Sequence, residues 1–451
     1  MIIQRGRRLL KQPTGEVPGR IISLRGIRVE KTQAMLLLKD ARPLAEKIAE
    51  YLRLHSKAGH IAVAGSIRRC LEAVSDIDIV AGTAAGDDLL DFAQSLPGIG
   101  TRLERSLTRL SVLLTVGVKL SIHVVEPPDF FAALYYYTGS AAHNAQIAAW
   151  AKQAGFSWSE QGLFAATGEK ILLRDEQELC RLLKLAYIVP ELREGYAEID
   201  LARAGKLPLL VTAADMKGGL HVHTDYSDGS DTIAGLRQAA QRLGWAYLGI
   251  SDHSQSAFYA GGLKTAAVLK QRREIDQLNA TSDFTILAGI ESDIKPDGSL
   301  DYSDDILAGF DFVIASVHSA FKQDEQTMTK RIIKAMSNRY VSILGHATGR
   351  LLLKRAGVRI DLPAVIEAAA QTGTILEINC NPNRLDLDWR WHGQAKAAGV
   401  LLAVNPDAHS IAELSYLDNG LASARKGGLT ANDIINTRSL KELRLLLRRK
   451  R

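Results

Sequence analysis

Between Gly218 and Ser410 the chain repeats one pattern seven times: a short β-rich run ends in polar residues, and most runs are separated by helical periodicity. The runs read GGLHVHT, AYLGISDHS, FTILAGIESD, FDFVIASVHS, YVSILGHAT, TILEINCN and VLLAVNPDAHS. Helical stretches between them include Ile233 to Leu243, Leu263 to Leu278, Thr327 to Met336 and Leu362 to Thr372. Strand and helix alternating in this way predict a parallel α/β barrel whose active site lies at the carboxyl ends of the strands.

The chemistry-bearing residues collect at those ends. Six of the eleven histidines, His221, His223, His253, His318, His346 and His409, close runs of this kind. Asp228, Asp252, Glu291 and Asp407 hold equivalent positions. Imidazoles mixed with carboxylates, without thiolates, suit manganese, zinc or iron better than a structural zinc. Six neutral imidazoles and three carboxylates would concentrate about three negative charges in one funnel, which two or three divalent cations neutralise. His221 with His223, and Asp407 with His409, share a face at a spacing of two and can reach one ion pair. Such a cluster activates a water and clamps a phosphoryl group, so metal-assisted phosphoester hydrolysis is the expected chemistry.

The strings HVHTDYSDG, SDHS, GIESD, SVHS, LGHATGR, EINCNPNRLDL and PDAHS resemble the polymerase and histidinol phosphatase (PHP) family, specifically the PHP domain of bacterial family X DNA polymerases. The resemblance covers 216–440 and implies a distorted (β/α)7 barrel holding three metals, often manganese or zinc. All nine family ligand positions are filled, by His221, His223, Asp228, His253, Glu291, His318, His346, Asp407 and His409. Pro406 departs from the small polar residue usual there. In such proteins this domain is associated with metal-dependent 3′ to 5′ exonuclease activity and 3′-end cleaning.

The first half carries a different signature. HIAVAGS (60–66) reads as a strand ending in Gly-Ser, Ile67 to Val74 as a short helix, and Asp76 to Val80 as an acidic strand. Gly65 and Ser66 can offer backbone amides to a phosphate, with Arg69 as charge partner. Asp76 and Asp78 share a strand face and could hold a divalent ion, magnesium being the candidate, with a triphosphate. A helix is expected from Asp40 as N-cap, with Pro43 in its first turn and Leu44, Ile48 and Leu52 as its stripe. Val118 to Val125 reads as a half-buried strand, and Asn144 to Lys152 as helical. A mixed helical region is expected up to about Lys184, and Tyr187 to Asp215 reads as a connector.

GSIRRCLEAVSDIDIV resembles the palm of family X DNA polymerases, and YYTGSAAHN, EQGLF and YIVPELREG extend the likeness, so that it runs from about 31 to 440. By resemblance Gly65, Ser66 and Arg69 would hold triphosphate, while Tyr136, Gly139 and Asn144 would face sugar and base of a nucleotide. Two departures stand out. LSIHVV places Ser121 where the family has its third catalytic aspartate, with Lys119 and His123 as same-face neighbours and Glu126 on the wrong parity. The palm is therefore expected to be degenerate, its polymerase activity weak or lost. The stretch before Asp40 is too short for the family's DNA-end-binding domain and helix-hairpin-helix elements, so the protein reads as N-terminally shortened; LPGIG (96–100) reads as a turn.

At 451 residues, with 46% hydrophobic and 24% charged residues, the chain is a folded α/β multidomain protein rather than a disordered one. The expected division is a basic arm at 1–39, a nucleotidyltransferase palm at 40–140, a thumb at 141–195, a linker at 196–215 and the PHP domain at 216–451. A net charge of +6 permits an anionic partner, and the tail SLKELRLLLRRKR is an amphipathic helix that could touch DNA phosphates. Three scattered cysteines and the lack of an apolar span fit a cytoplasmic protein without a membrane partner. The leading reading is a metal-dependent 3′-5′ exonuclease or 3′-phosphoesterase acting on gapped DNA or 3′ ends in repair. The alternatives are an active gap-filling polymerase using dNTPs, a small-molecule phosphatase of the histidinol-phosphate kind, and an inert DNA-binding scaffold. The oligomeric state is left open by the sequence.

Overall fold

The computed structural model describes residues 34–56, 58–448 and 450. The basic arm expected at 1–39 lies outside the described residues as far as 33.

The first unit is a five-stranded mixed sheet backed by one long helix, α1 (Leu38–His55). That helix starts two residues before Asp40, with Leu37 at the N-cap and no side-chain cap, so Asp40 falls in the first turn and Pro43 inside the helix. Acid in the first turn still favours the helix dipole. Ala41, Ala45, Ala49 and Leu52 face the core, while Leu44 and Ile48 pack at its margin. The strands are β1 (His60–Val63), β2 (Asp76–Gly82), β3 (Ile99–Arg105), β4 (Arg109–Leu114) and β5 (Lys119–Val125), in spatial order β1-β2-β5-β4-β3. Alternation does the sorting: Ile77, Ile79, Leu120 and Ile122 go to the core, and Asp76, Asp78 and Lys119 to the opposite face. The helix expected over Ile67 to Val74 is a single turn at Gly65–Arg68. Cys70, with φ 59, bends the chain away, and Ala73–Val74 then pairs with Leu36–Leu37.

The second unit packs Phe130–Thr138, Ala141–Gln153 and Glu176–Leu182 around Tyr135, Ile147, Trp158 and Leu163. Between them lies a three-stranded antiparallel sheet, β6 (Phe156–Ser159), β7 (Gly162–Ala165) and β8 (Lys170–Ile171), where the sequence reading has a mixed helical region. A buried ionic knot ties this unit to the first. The wholly buried Arg193 donates to Glu176 at 2.9 Å and lies over the Tyr135 ring at 3.9 Å. Glu176 also accepts two bonds from Arg68, at 2.9 and 2.5 Å. Burial acts to raise the Glu176 pKa, but Arg68 and Arg193 outweigh it and hold the carboxyl low. Its stabilisation is therefore present above the ordinary carboxylate range of about 4.3 and lost as pH falls through the lower folded value. Arg193→Met is expected to lower stability by about 3 kcal/mol in urea unfolding, because it strips one partner from a buried carboxylate.

The third unit is the barrel. Its strands are β9 (Gly218–Gly219), β10 (Tyr247–Ile250), β11 (Thr285–Asp293), β12 (Phe312–Ser316), β13 (Ile343–Leu344), β14 (Ile375–Asn379) and β15 (Leu402–Asn405). They run parallel in sequential order, and a parallel bridge between Val222 and Ala408 joins first to last. The helices expected between strands are present at Ile233–Arg242, Thr265–Ala280, Glu325–Met336 and Leu362–Thr372. Phe312 crosses the interior so closely that a Cβ on Gly289 would stand 2.3 Å from its ring, which requires glycine there. At the amino-terminal ends of the strands, Tyr247, Phe312, Ile343 and Ile375 pack against Leu443 and Leu447 of the tail helix Leu440–Leu447. That amphipathic tail thus covers the floor of the barrel, and its mouth is the opposite end. No helix among the described residues is long and apolar enough to cross a membrane.

Candidate active site

Sequential parallel strands place all their carboxyl ends on one rim, so residues far apart in sequence meet there. His221 and His223 follow β9, His253 follows β10, Glu291 lies in β11, His318 follows β12, His346 follows β13, and Asp407 and His409 follow β15. Asp228 enters from the loop after β9. Glu291 is the hub. Its Oε1 lies 2.9 Å from His346 Nε2, 3.3 Å from His318 Nε2 and 3.4 Å from His221 Nε2. Its Oε2 lies 2.9 Å from His253 Nδ1. Asp407 Oδ1 stands 3.3 Å from His223 Nε2 and 3.5 Å from His221 Nε2. Asp228 meets His253 at 3.6 Å and His409 at 3.4 Å. All nine expected residues are therefore in one cluster.

Eight of these donors form three overlapping groups, each able to hold an ion: His223, Asp228, His253 and His409; His221, His223 and Asp407; His253, Glu291 and His318; His346 joins them through Glu291. His221 and His223 are wholly buried, yet His221 Nε2 and both ring nitrogens of His223 have no hydrogen-bond partner. Buried nitrogen lone pairs pointing at carboxylates are costly unless a cation sits between them, so the residues fit divalent ions. The electrostatics divide the rings. Burial first, and then neighbouring His253, pushes His223 down to about 3, which keeps its ring neutral and available as a ligand. Against the burial that would lower them, Glu291 holds His253 up at about 10 and His318 up at about 9.

Around the donors lies a layer that sequence reasoning missed. Glu377, in β14 and wholly buried, accepts from His221 Nδ1 at 2.7 Å, from the His346 amide at 2.8 Å and from Asn405 at 3.0 Å. It fixes which His221 nitrogen faces the cluster. Asp293 does the same for His318, at 2.7 Å from its Nδ1. The available signal was an acid alternating inward within an apolar strand, as in ILEIN. Asp252, a strand-end carboxylate, points elsewhere: it accepts from the Thr224 amide at 2.7 Å, from the Thr224 hydroxyl at 2.7 Å and from Gln271 at 2.6 Å, pinning the loop that carries Asp228. Glu377→Gln is expected to weaken divalent-metal affinity by about 10- to 100-fold, read by metal titration.

The palm residues gather in two places. Asp78 and Ser121 are direct partners on the parallel β2–β5 ladder, so Ser121 occupies the position beside the acidic pair. Its hydroxyl is wholly buried and lies 3.3 Å from that of Ser111. His123 Nε2 stands 3.3 Å from Asp78 Oδ1, and its ring stacks on Tyr137 at 3.7 Å. Burial, and then Asp78, raises the Asp76 carboxyl. Gly65, with φ +60, lets the backbone approach Asp78, since a Cβ there would stand 2.3 Å from Oδ2. Ser66 Oγ has no partner.

The second place joins the units. Arg69 bonds Glu194 at 2.9 Å and the Thr138 carbonyl at 2.5 Å, and its Nη1 lies under Gly139. Asn144 donates to the Tyr136 carbonyl at 2.7 Å. Lys426 of the barrel, with a fully buried side chain, also pairs with Glu194 and donates to the Arg69 carbonyl at 2.9 Å. Arg69 is thus engaged by the protein itself, linking palm, thumb and barrel.

Comparison with known proteins follows the same division. The family described as DNA polymerase beta thumb matches residues 133–194, and the PHP domain family matches 219–380. The DNA polymerase/3′-5′ exonuclease PolX of Bacillus subtilis is 38% identical over 410 residues, spanning 90% of this chain and 72% of that protein. A probable phosphatase of Thermoanaerobacter sp. is 30% identical over 237 residues, spanning 48% of this chain and 89% of the phosphatase. Another, from Clostridium acetobutylicum, is 32% identical over 171 residues, 36% of this chain and 63% of its own length.

Proposed function

Because the chain belongs to the bacterial family X DNA polymerases that carry a PHP domain, we propose that it hydrolyses phosphodiester bonds at DNA 3′ ends, as a metal-dependent 3′-5′ exonuclease and 3′-phosphoesterase. The observation that carries this reading is the cluster of histidines and carboxylates at the barrel mouth, eight of them in groups able to hold an ion, with unpartnered imidazole nitrogens among them. The proposed division keeps a palm at 40–140, a thumb at 141–195, a linker at 196–215 and the phosphoesterase at 216–451.

His221, His223, Asp228, His253, Glu291, His318, His346, Asp407 and His409 would hold two or three ions, manganese or zinc. Bound there, such ions lower the pKa of a water towards about 7 and polarise the phosphoryl group. The protein's own part is positional. Glu377 and Asp293 lock the rings of His221 and His318, and Glu291 holds four histidines about one carboxylate, so the donors need not reorganise on loading. The palm would bind the primer end or a dNTP, with Gly65, Ser66, Arg69, Tyr136, Gly139 and Asn144 lining that surface and magnesium at Asp76 and Asp78. Addition of nucleotides would be weak or lost, since Ser121 supplies no third carboxylate. Removal of damaged 3′ ends in cytoplasmic DNA repair is the corresponding role.

A second reading is favoured by the relatives that match half of the chain or less and are described as probable phosphatases. A small-molecule phosphatase would hydrolyse free monoesters far faster than DNA. With manganese, the rate on a 5′-labelled oligonucleotide is expected to exceed that on p-nitrophenyl phosphate. A monoester rate about 100-fold higher than the DNA rate would overturn the nuclease reading.

A further inference from the structure

Five residues beyond His253 the chain exposes two aromatic rings side by side. Phe258 is 86% exposed and Tyr259 63%, and the rings meet edge to face at 5.9 Å. Their neighbours Ala257 and Ala260 are buried, so the loop is anchored while its aromatic tip stands in water. The anchoring is thorough. Leu263 N bonds the His253 carbonyl at 2.8 Å, Gly262 N bonds the Ala257 carbonyl at 3.0 Å, and the Ser256 amide bonds Asp301 at 2.6 Å. A Cβ on Gly262 would overlap the Ser254 carbonyl at 1.9 Å, so the chain doubles back tightly there. On its other side the loop abuts Ser227, where a Cβ on Gly261 would stand 3.3 Å from the Ser227 carbonyl. The tip is therefore bracketed by His253 and by the neighbour of Asp228.

Two adjacent exposed rings on a hydrogen-bonded loop keep apolar surface in water with no packing in return, which fits a ligand that covers them. The cluster they border is built for cations and hence for an anionic ester. Arg384, 3.8 Å from Asp407 Oδ2, adds positive charge beside it. A planar apolar face next to a phosphate site matches a nucleobase attached to the phosphate being cut.

Resting on the nuclease reading above, we propose that Phe258 and Tyr259 form a stacking lip that holds the 3′-terminal base of a single-stranded DNA end while its phosphodiester lies in the cluster. The lip is independent of sequence, since every base has a face to stack. It favours frayed or unpaired ends over paired ones, because a base in a duplex must leave its stack to reach the rings.

The test uses the full chain, the double variant Phe258→Ala/Tyr259→Ala and the rescue variant Tyr259→Trp. Three manganese-dependent rates are compared: a single-stranded oligonucleotide with a normal 3′ base, the same strand with an abasic 3′ end, and bis(p-nitrophenyl) phosphate. The double variant is expected to lose about 10-fold or more on the normal end, with little change on the abasic end or the small diester, and Tyr259→Trp keeps the wild-type rate. Equal loss on all three substrates would mean that the loop only props His253, and would overturn the proposal, as would no loss on DNA. Binding of an oligonucleotide ending in 2-aminopurine, with an uncleavable terminal phosphorothioate, reads the lip without hydrolysis. Wild type is expected to quench the fluorophore and the double variant is not. Quenching without cleavage of the ordinary strand would uphold the lip while refuting the nuclease reading, and no quenching by wild type would leave the rings as a surface for another protein.

Discussion

Changing Asp407 to Asn lowers hydrolysis of a DNA 3′ end by about 10³-fold or more, whereas changing Asp78 to Asn leaves it within about twofold. Asp407 Oδ1 faces two unpartnered histidine nitrogens, and its Oδ2 is held by Asn379 at 3.0 Å, so no neighbouring carboxylate can move in to replace it. Asparagine keeps the shape but removes the charge that His221, His223 and His409 favour against burial, so the variant is expected to fold and, with chelator present, to melt below the parent. His221→Ala has the same effect on rate and a larger effect on stability, since it leaves Glu377 buried without the hydrogen bond from His221 Nδ1. Asp78 belongs to a separate sheet, and its loss touches none of the nine donors.

Restoring Ser121→Asp raises any templated nucleotide addition by about 10²-fold or more. Ser121 is the ladder partner of Asp78, so an aspartate there would stand beside the existing acidic pair on the same face. The exchange also has a stability signature. Asp76 is already raised by burial and by Asp78, and a third carboxylate increases that repulsion. The variant is therefore expected to melt below the parent without metal and to recover when magnesium or manganese is added, since a cation that binds only the folded state stabilises it. A rate unchanged by Ser121→Asp would mean that the missing carboxylate does not limit nucleotide addition.

The barrel was legible because its repeat was redundant: seven strand ends each carried polar residues, and parallel strands in sequential order bring such ends to one rim whatever the loops do. The donor cluster followed from the same redundancy. Glu377 and Asp293 stayed hidden because a carboxylate inside an apolar strand has no local partner in sequence; its meaning arises only when β14 and β11 face His221 and His318. The sheet over 156–171 was missed for the opposite reason. Its strands are only two to four residues long, too short for a period of two to register between helices. The turn at Cys70 and the uncapped start of α1 are tertiary choices, made by the pairing of Leu36–Leu37 with Ala73–Val74. The partners of Arg69 were not legible in sequence, because Glu194 and the Thr138 carbonyl lie 125 and 69 residues away and meet it only when the units pack.

The central claim is that the working centre is the histidine and carboxylate cluster of the barrel and not the palm. It is tested most directly on a 5′-labelled primer annealed to a gapped template with manganese, with and without dNTPs, using the parent and His221→Ala. The account predicts a ladder of shortened primers that vanishes in the variant, with no extension in either protein. Extension without shortening, or shortening that survives His221→Ala, would contradict it and move the active centre to the other half of the chain.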